Sequence, residues 1–311
     1  MKKYLIKRLW HGVITILFIT TATFFAMHMV PGDPLSSEKA ISEETRKALE
    51  KEYGIDKPVV VQYGIFLKKT FIDWDLGFSY TNRNRKVNDI IKDHFPISAK
   101  LGVLAVLFAA IGAIFWGALA AKYRNRMPDY VSMILVILFI SVPSFVFASG
   151  AQLLIVKLNA ATGWNLPYRG TEAFSSQILP ALILGLGTMA FLTRIMRSSM
   201  LEVVHSDYIR TARAKGLSPR QIFFSHELRN ACLPVITIIG PAIAAITTGS
   251  FVIETIFTIP GLGKFFVQAV QQNDYTVIMG TTVFYGSFLV LTVLAVDIVY
   301  GLIDPRIQVE K

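Results

Sequence analysis

Long apolar blocks constrain this chain more than any other feature. Apolar runs of roughly 18 residues or more with almost no charge match the thickness of a bilayer's hydrocarbon core and are read as spans. Six blocks qualify, at residues 12–30, 101–121, 130–156, 178–196, 233–257 and 278–303. Across 311 residues 53% are hydrophobic and 17% charged, whereas soluble domains carry about 25% charged residues, so the blocks are not cores of soluble domains. The expected fold is an all-α integral membrane protein with about six transmembrane helices.

The net charge of +10 does not point to nucleic acid. Its basic residues sit in short loops between apolar blocks, where membrane topology predicts them. Ahead of the first block stands a basic leader with Lys2, Lys3, Lys7 and Arg8. That arrangement resembles a signal peptide, but the block is longer than a signal core and lacks a clear small-x-small cleavage site, so an uncleaved first span is expected.

Orientation follows from the loops. With the N-terminus inside, the inner segments are the leader, Lys122, Arg124 and Arg126, the stretch from Arg194 to Arg229 with seven Lys/Arg, and the tail at 305–311. The later outer loops hold only Lys157, Arg169 and Lys264. Residues 31–96 balance eleven Lys/Arg against eleven Asp/Glu, and long segments cross regardless of charge, so they form an external helical subdomain. Ser42 can cap a short helix there that closes at Gly54, and Lys57-Pro58 fits the start of a second.

The most informative segment is the inner loop at 197–232. Ser206 stands as an N-cap with Asp207 in the positive first turn; Arg213 and Lys215 occupy the negative last turn, and Gly216 supplies a left-handed stop. Leu217 falls where a Schellman turn places its apolar contact. Ser218, Pro219 and Gln221 then match a capping box with proline at the first helical position. Two short helices meeting at a fixed, basic elbow suit docking into a soluble partner, although a basic juxtamembrane loop also serves topology or anionic lipid.

This stretch, SDYIRTARAKGLSPRQIFFSHELRNACLP, resembles the signature loop of ABC importer permeases. Arg210, Thr211 and Ala212 take the Glu-Ala-Ala positions, Gly216 the glycine, and Leu233-Pro234 the closing Leu-Pro. Arg210 replaces the Glu, and Leu-Pro falls five residues later than in the general pattern, where Leu228-Arg229 stands. Both departures are similar to the oligopeptide, dipeptide and nickel branch. So are PGDP at 31–34, YGIDKP at 53–58, Gln62-Tyr63, DLGFSY at 75–80, ETIFTIPGLGK at 254–264, NDY at 273–275 and DPR at 304–306.

The resemblance implies the type I importer permease fold, with a permease domain over 97–304. It also implies a coupling helix in Arg210, Thr211, Ala212, Arg213, Ala214, Lys215, Gly216, Leu217, Ser218, Pro219, Arg220 and Gln221, seated in a cleft of an ATPase. Implied partners are a second homologous permease, two ABC ATPases that carry the ATP and magnesium, and an extracytoplasmic peptide-binding protein. The setting is a bacterial cytoplasmic membrane, with lipid around the spans. No cofactor is expected on this chain, and peptide, nickel chelate or another small solute all remain open as cargo.

Other chemistry fits poorly. Gly261-Leu262-Gly263-Lys264 recapitulates part of a phosphate loop, but Thr258 stands where the first glycine belongs and Phe265 where Ser or Thr would bind magnesium. His226-Glu227 begins like a zinc-protease motif, but Asn230 occupies the second ligand position. No nucleophile and base pair suggests an enzyme. A self-contained carrier would show inverted repeats and midplane ionisable sites, and neither is evident. Glu254, at the outer end of the fifth block, and Asp297, inside the sixth, are possible pathway or structural carboxylates.

The topology is testable by single-cysteine labelling. An impermeant reagent should modify a cysteine at Glu50 and one at Arg124 from opposite faces; modification from one face overturns the assignment.

Overall fold

In a computed structural model, residues 2–30, 51, 54–82, 84–171, 174–247 and 250–303 are described, with side chains described for 6–296 of these. Among them the regular secondary structure is all helical apart from one isolated bridge, Phe78 to Lys86. The helices are α1 (Lys2–Met29), α2 (Val59–Phe71), α3 (Val87–Lys122), α4 (Met127–Ser141), α5 (Ser144–Thr162), α6 (Phe174–Val204), α7 (Asp207–Ala214), α8 (Pro219–Ala231), α9 (Leu233–Thr247), α10 (Phe251–Ile256), α11 (Leu262–Gln271) and α12 (Tyr275–Ile303).

Five helices are long and apolar enough to cross a membrane by themselves: α1 from Ile6, α3, α5, α6, and α12 over Tyr275–Val296. A sixth span is available if α8 and α9, bent by 44° at Cys232, act as one. Two expected blocks are therefore divided. Residues 130–156 were expected to be one span, but Val142 adopts an extended backbone (ψ 126°) ahead of Pro143 and separates α4 from α5. Proline disfavours helical geometry in the residue before it and offers no amide hydrogen of its own. In the block at 233–257, α9 ends at Thr247 and α10 begins at Phe251. Helix α6 stays helical to Val204, running into the segment 197–232 that was expected as the loop, and α8 begins at Pro219, where Ser218 and Pro219 indicated. The helix expected to open at Ser42 lies outside the described residues, whereas α2 starts where Lys57-Pro58 indicated, with Pro58 at its N-cap.

The chain divides into two compact units. The first holds residues 1–97 and 261–294. In it α2 lies on α1: Phe24 stacks on Phe66 with centroids 5.6 Å apart, the Thr21 and Tyr63 hydroxyls meet at 2.6 Å, and His28 Nε2 lies 3.1 Å from Gln62 Oε1. Asp274 organises the rest. Its carboxylate accepts hydrogen bonds from Ser79 Oγ and the Tyr80 and Thr81 amides, and also from the Val277 amide in the first turn of α12. One buried side chain thus caps a helix and ties down a loop almost two hundred residues earlier. Below it, Val87, Ile90, Ile91, Leu262, Ala269, Val277 and Ile278 form the apolar core.

On the polar side of that loop, burial pushes the Asp75 carboxyl up. The Gly77 amide and the Lys86 ammonium, 3.2 Å away, outweigh this with help from Lys69, and the group lies below its ordinary range. Its contribution to stability is present above the unfolded-state value and is lost as pH falls through the folded one.

The second unit holds residues 98–260 and 295–311, and α6 is its hub. Helix α6 crosses α3 so closely that a Cβ at Gly185 would meet the Ala105 carbonyl oxygen at 2.5 Å. Leu192, Met196 and Met200 pack with Ala113, Ala118 and Ala121 of α3, Ala231 of α8 and Val235 of α9. Near the C-terminal end of α6, Arg197 makes a two-pronged bond to Asp129, Nε to Oδ1 and a terminal nitrogen to Oδ2, both at 2.7 Å. Asp129 also accepts from the amide of Asn125, a left-handed residue (φ 59°), so this carboxylate fixes both the α3–α4 turn and its distance from α6.

Two substitutions probe these clamps. Arg197→Leu leaves a buried carboxylate without its cation and should cost roughly 2–4 kcal/mol, toward the low end of buried pairs because Arg197 is one-quarter exposed. Adding Asp129→Leu should return part of the loss; an Arg197→Leu thermal midpoint equal to wild type in detergent would show the pair to be idle. Asp274→Ala strands several donors and should cost about 2–4 kcal/mol. Thermal denaturation again provides the measurement, and an unchanged midpoint argues against a central clamp.

Candidate functional site

The elbow is built from α7 and α8. Ser206 occupies the α7 N-cap with extended backbone, but its hydroxyl turns back to the Val203 carbonyl at 2.6 Å and does not cap the new helix, as its sequence position suggested it would. Asp207 stands in the first turn, where the helix dipole favours it.

At the other end the stop forms as expected. Gly216 is left-handed (φ 76°); its amide bonds to the Arg213 carbonyl at 3.0 Å, and the Leu217 amide to that of Ala212 at 3.3 Å, the paired bonds of a Schellman motif. A Cβ at Gly216 would meet nothing within 4 Å, so backbone conformation, not space, selects glycine there. The capping box is also present: the Gln221 amide donates to Ser218 Oγ at 3.3 Å, and the Ser218 amide to Gln221 Oε1 at 3.1 Å.

The amphipathic pattern of α7 decides what faces outward. Ile209 and Ala212 are buried with Ile222 of α8, and Val203 and Leu217 close over them. Opposite them, Arg210, Thr211, Arg213, Ala214, Lys215 and Gly216 are exposed, as are Ser218, Pro219, Arg220 and Gln221. Ten of the twelve expected coupling residues are thus brought together as one basic surface, and the other two, Ala212 and Leu217, belong to its apolar footing.

Beyond Gln221, α8 is longer than the short second helix that was expected. It continues through a π-helical stretch, Ile222–Leu228, before three α-helical residues and the bend at Cys232. The π stretch carries a group that the sequence reading discarded with the incomplete zinc motif: Glu227 is buried, and its carboxylate lies 3.5 Å from the Arg213 guanidinium. Asn230 donates to the Tyr208 hydroxyl at 3.2 Å, so α7 and α8 are braced twice. Neither brace was foreseeable, since the reversal at Gly216 creates both pairs.

The two carboxylates singled out from sequence lie apart from the elbow. Glu254, on α10, is fully buried and accepts a hydrogen bond from Ser98 Oγ at 2.7 Å. Asp297 falls on α12, but its side chain lies outside the described residues. Gly261 is the N-cap of α11, so Gly261 to Lys264 open a helix. Among the described residues no three His, Cys, Asp or Glu side chains gather as a metal site would require.

Comparison with known proteins places this architecture. Residues 1–102 match the model of the N-terminal family of binding-protein-dependent transport system membrane components, and residues 113–309 match that of binding-protein-dependent transport system inner membrane components. The chain is 46% identical to the dipeptide transport system permease protein of Bacillus subtilis (strain 168), over all of this chain and 99% of that one. It is 39% identical to the oligopeptide transport system permease protein of Salmonella typhimurium, over 99% of this chain and 100% of the relative. The dipeptide permease of Lactococcus lactis subsp. cremoris is 38% identical with the same coverage. On these matches the chain belongs to the family of binding-protein-dependent transport system inner membrane components.

Proposed function

We propose that this chain forms half of the pathway by which an ATP-binding cassette importer carries peptides across the bacterial cytoplasmic membrane. The dipeptide and oligopeptide permeases it resembles over its whole length favour peptide as cargo. A second homologous permease completes the pathway, two ATPase chains bind ATP and magnesium, and an extracytoplasmic binding protein delivers the peptide. The leader, the α3–α4 turn and the α6–α9 elbow face the cytoplasm; residues 31–96 face outward; lipid surrounds the exposed apolar faces.

The observation that carries this reading is the elbow itself. Arg210 to Gln221 present cations on a helix pair fixed by a Schellman turn, a capping box and an apolar footing. A surface rigid in this way can convert movement of an ATPase cleft into movement of the spans above it. Of the roles open to Glu254, complete burial against Ser98 supports the structural one: it holds α10 to α3.

Gly216 tests the coupling role. Gly216→Val opposes the left-handed backbone by roughly 1–2 kcal/mol and turns α8 away from its cleft. Gly216→Asn, which adopts that conformation more readily, should retain most transport. With all partners reconstituted, the valine variant should insert normally and lose peptide-stimulated ATP hydrolysis and uptake. Wild-type uptake in the valine variant would remove the elbow from the coupling path.

A further inference from the structure

We infer that Glu227 is a positioning residue for transport, acting through Arg213 to fasten the partner-facing helix α7 to the base of the fifth span. This rests on the coupling role proposed for Arg210–Gln221.

The geometry separates Arg213 from the other cations of the elbow. Arg210 pairs at 3.4 Å with Asp207, whose side chain is 96% exposed, so that pair sits in water and contributes little. Arg213 pairs instead with a carboxylate whose side chain is 11% exposed. Its own side chain is 56% exposed, which leaves several of its five N–H donors facing outward. The one guanidinium therefore faces both ways: inward to Glu227 and outward to any acidic group lining an ATPase cleft.

The asymmetry has consequences. A buried carboxylate that loses its cation is strongly penalised, more than the intact pair is worth. A cleft that pulled Arg213 away without moving α8 would strand Glu227, whereas a cleft that moved both together would not. The favoured response is for α7 and α8 to move as one body. The Tyr208–Asn230 bond and the Ile209–Ala212–Ile222 contact hold the same two helices, and the 44° bend at Cys232 stands where such a body meets α9. Glu227 lies in the π stretch, and this carries its carboxylate back beneath Arg213, a placement in line with the frequent occurrence of such bulges at functional sites.

The test is a double-mutant cycle on the complete transporter, with both permeases, both ATPases and the binding protein in proteoliposomes. Arg213→Gln, Glu227→Gln and the pair together are compared for assembly, basal ATP hydrolysis, and peptide imported per ATP hydrolysed. Each single variant should import about fivefold less peptide per ATP hydrolysed, Glu227→Gln, which does not face the cleft, should assemble and keep basal hydrolysis, and the double variant should be no worse than the weaker single. Fold losses that multiply in the double variant overturn the inference. So does a normal ratio in Glu227→Gln beside a lowered ratio in Arg213→Gln, a result that leaves the elbow as the coupling element. Normal ratios in both singles overturn this inference and the coupling role of Arg213 together. If Glu227→Gln fails to assemble, Glu227→Asp, which keeps the charge but draws it back by one methylene, takes its place: a lowered ratio supports the inference and a normal one overturns it.

Discussion

In hydrocarbon every backbone N–H and C=O must find a partner within the protein, and that constraint decides where this chain can interrupt its helices. Among the described residues, two interruptions show how their backbone groups are answered. Between α4 and α5, the Val142 amide still reaches the Leu138 carbonyl, and the Val146 amide bonds to Pro143. After α10, the Ile256 carbonyl takes Gln152 Nε2, the Phe257 carbonyl takes the Gly170 amide, and the Glu254 carbonyl takes that of Ile259. Gln152 on α5 and the loop at Gly170 thus complete a helix end that is distant in sequence, so breaks in the spans occur where neighbouring elements supply donors.

The sequence revealed those elements whose signals are local. Apolar blocks located the spans because length and charge depletion are properties of a single segment. The Gly216 stop and the Ser218–Gln221 box were readable for the same reason: every partner lies within five residues. Ser206 marks the limit of such reading. It has the right residue at the right position, yet its hydroxyl finds the carbonyl of Val203, since a serine at a cap chooses between two nearby bonds and tertiary crowding settles which. The divided block at 130–156 has a different cause. Hydropathy does not register a proline's effect on its predecessor, so 130–156 reads as continuous despite Pro143, whereas Pro96, Pro180 and Pro241 stay inside helices.

Long-range polar contacts were not legible at all. Nothing in NDY or DLGFSY says that Asp274 will gather Ser79, Tyr80 and Thr81, or that Asp129 will meet Arg197 across 68 residues. Resemblance pointed to these segments without giving the reason for their residue types. In the structure the reason is physical: short motifs at either end of the chain supply complementary donors and acceptors to one buried group.

The described buried carboxylates share a placement. Asp129 lies in the first turn of α4, Glu254 within the single-turn helix α10, Asp274 at the head of α12, and Glu227 in the π stretch just before the bend. Each occupies a helix end or an irregular turn, where amides or nearby cations are free to meet a charge that mid-span hydrocarbon would penalise severely. A long helix held firmly at its ends transmits displacement along its length, because its internal hydrogen bonds resist stretching while its apolar flanks slide past neighbours or lipid with little directional cost. Anchoring by carboxylates at the ends, with apolar packing between, therefore keeps each charge where it can be paired and leaves the hydrocarbon-facing lengths of the helices apolar.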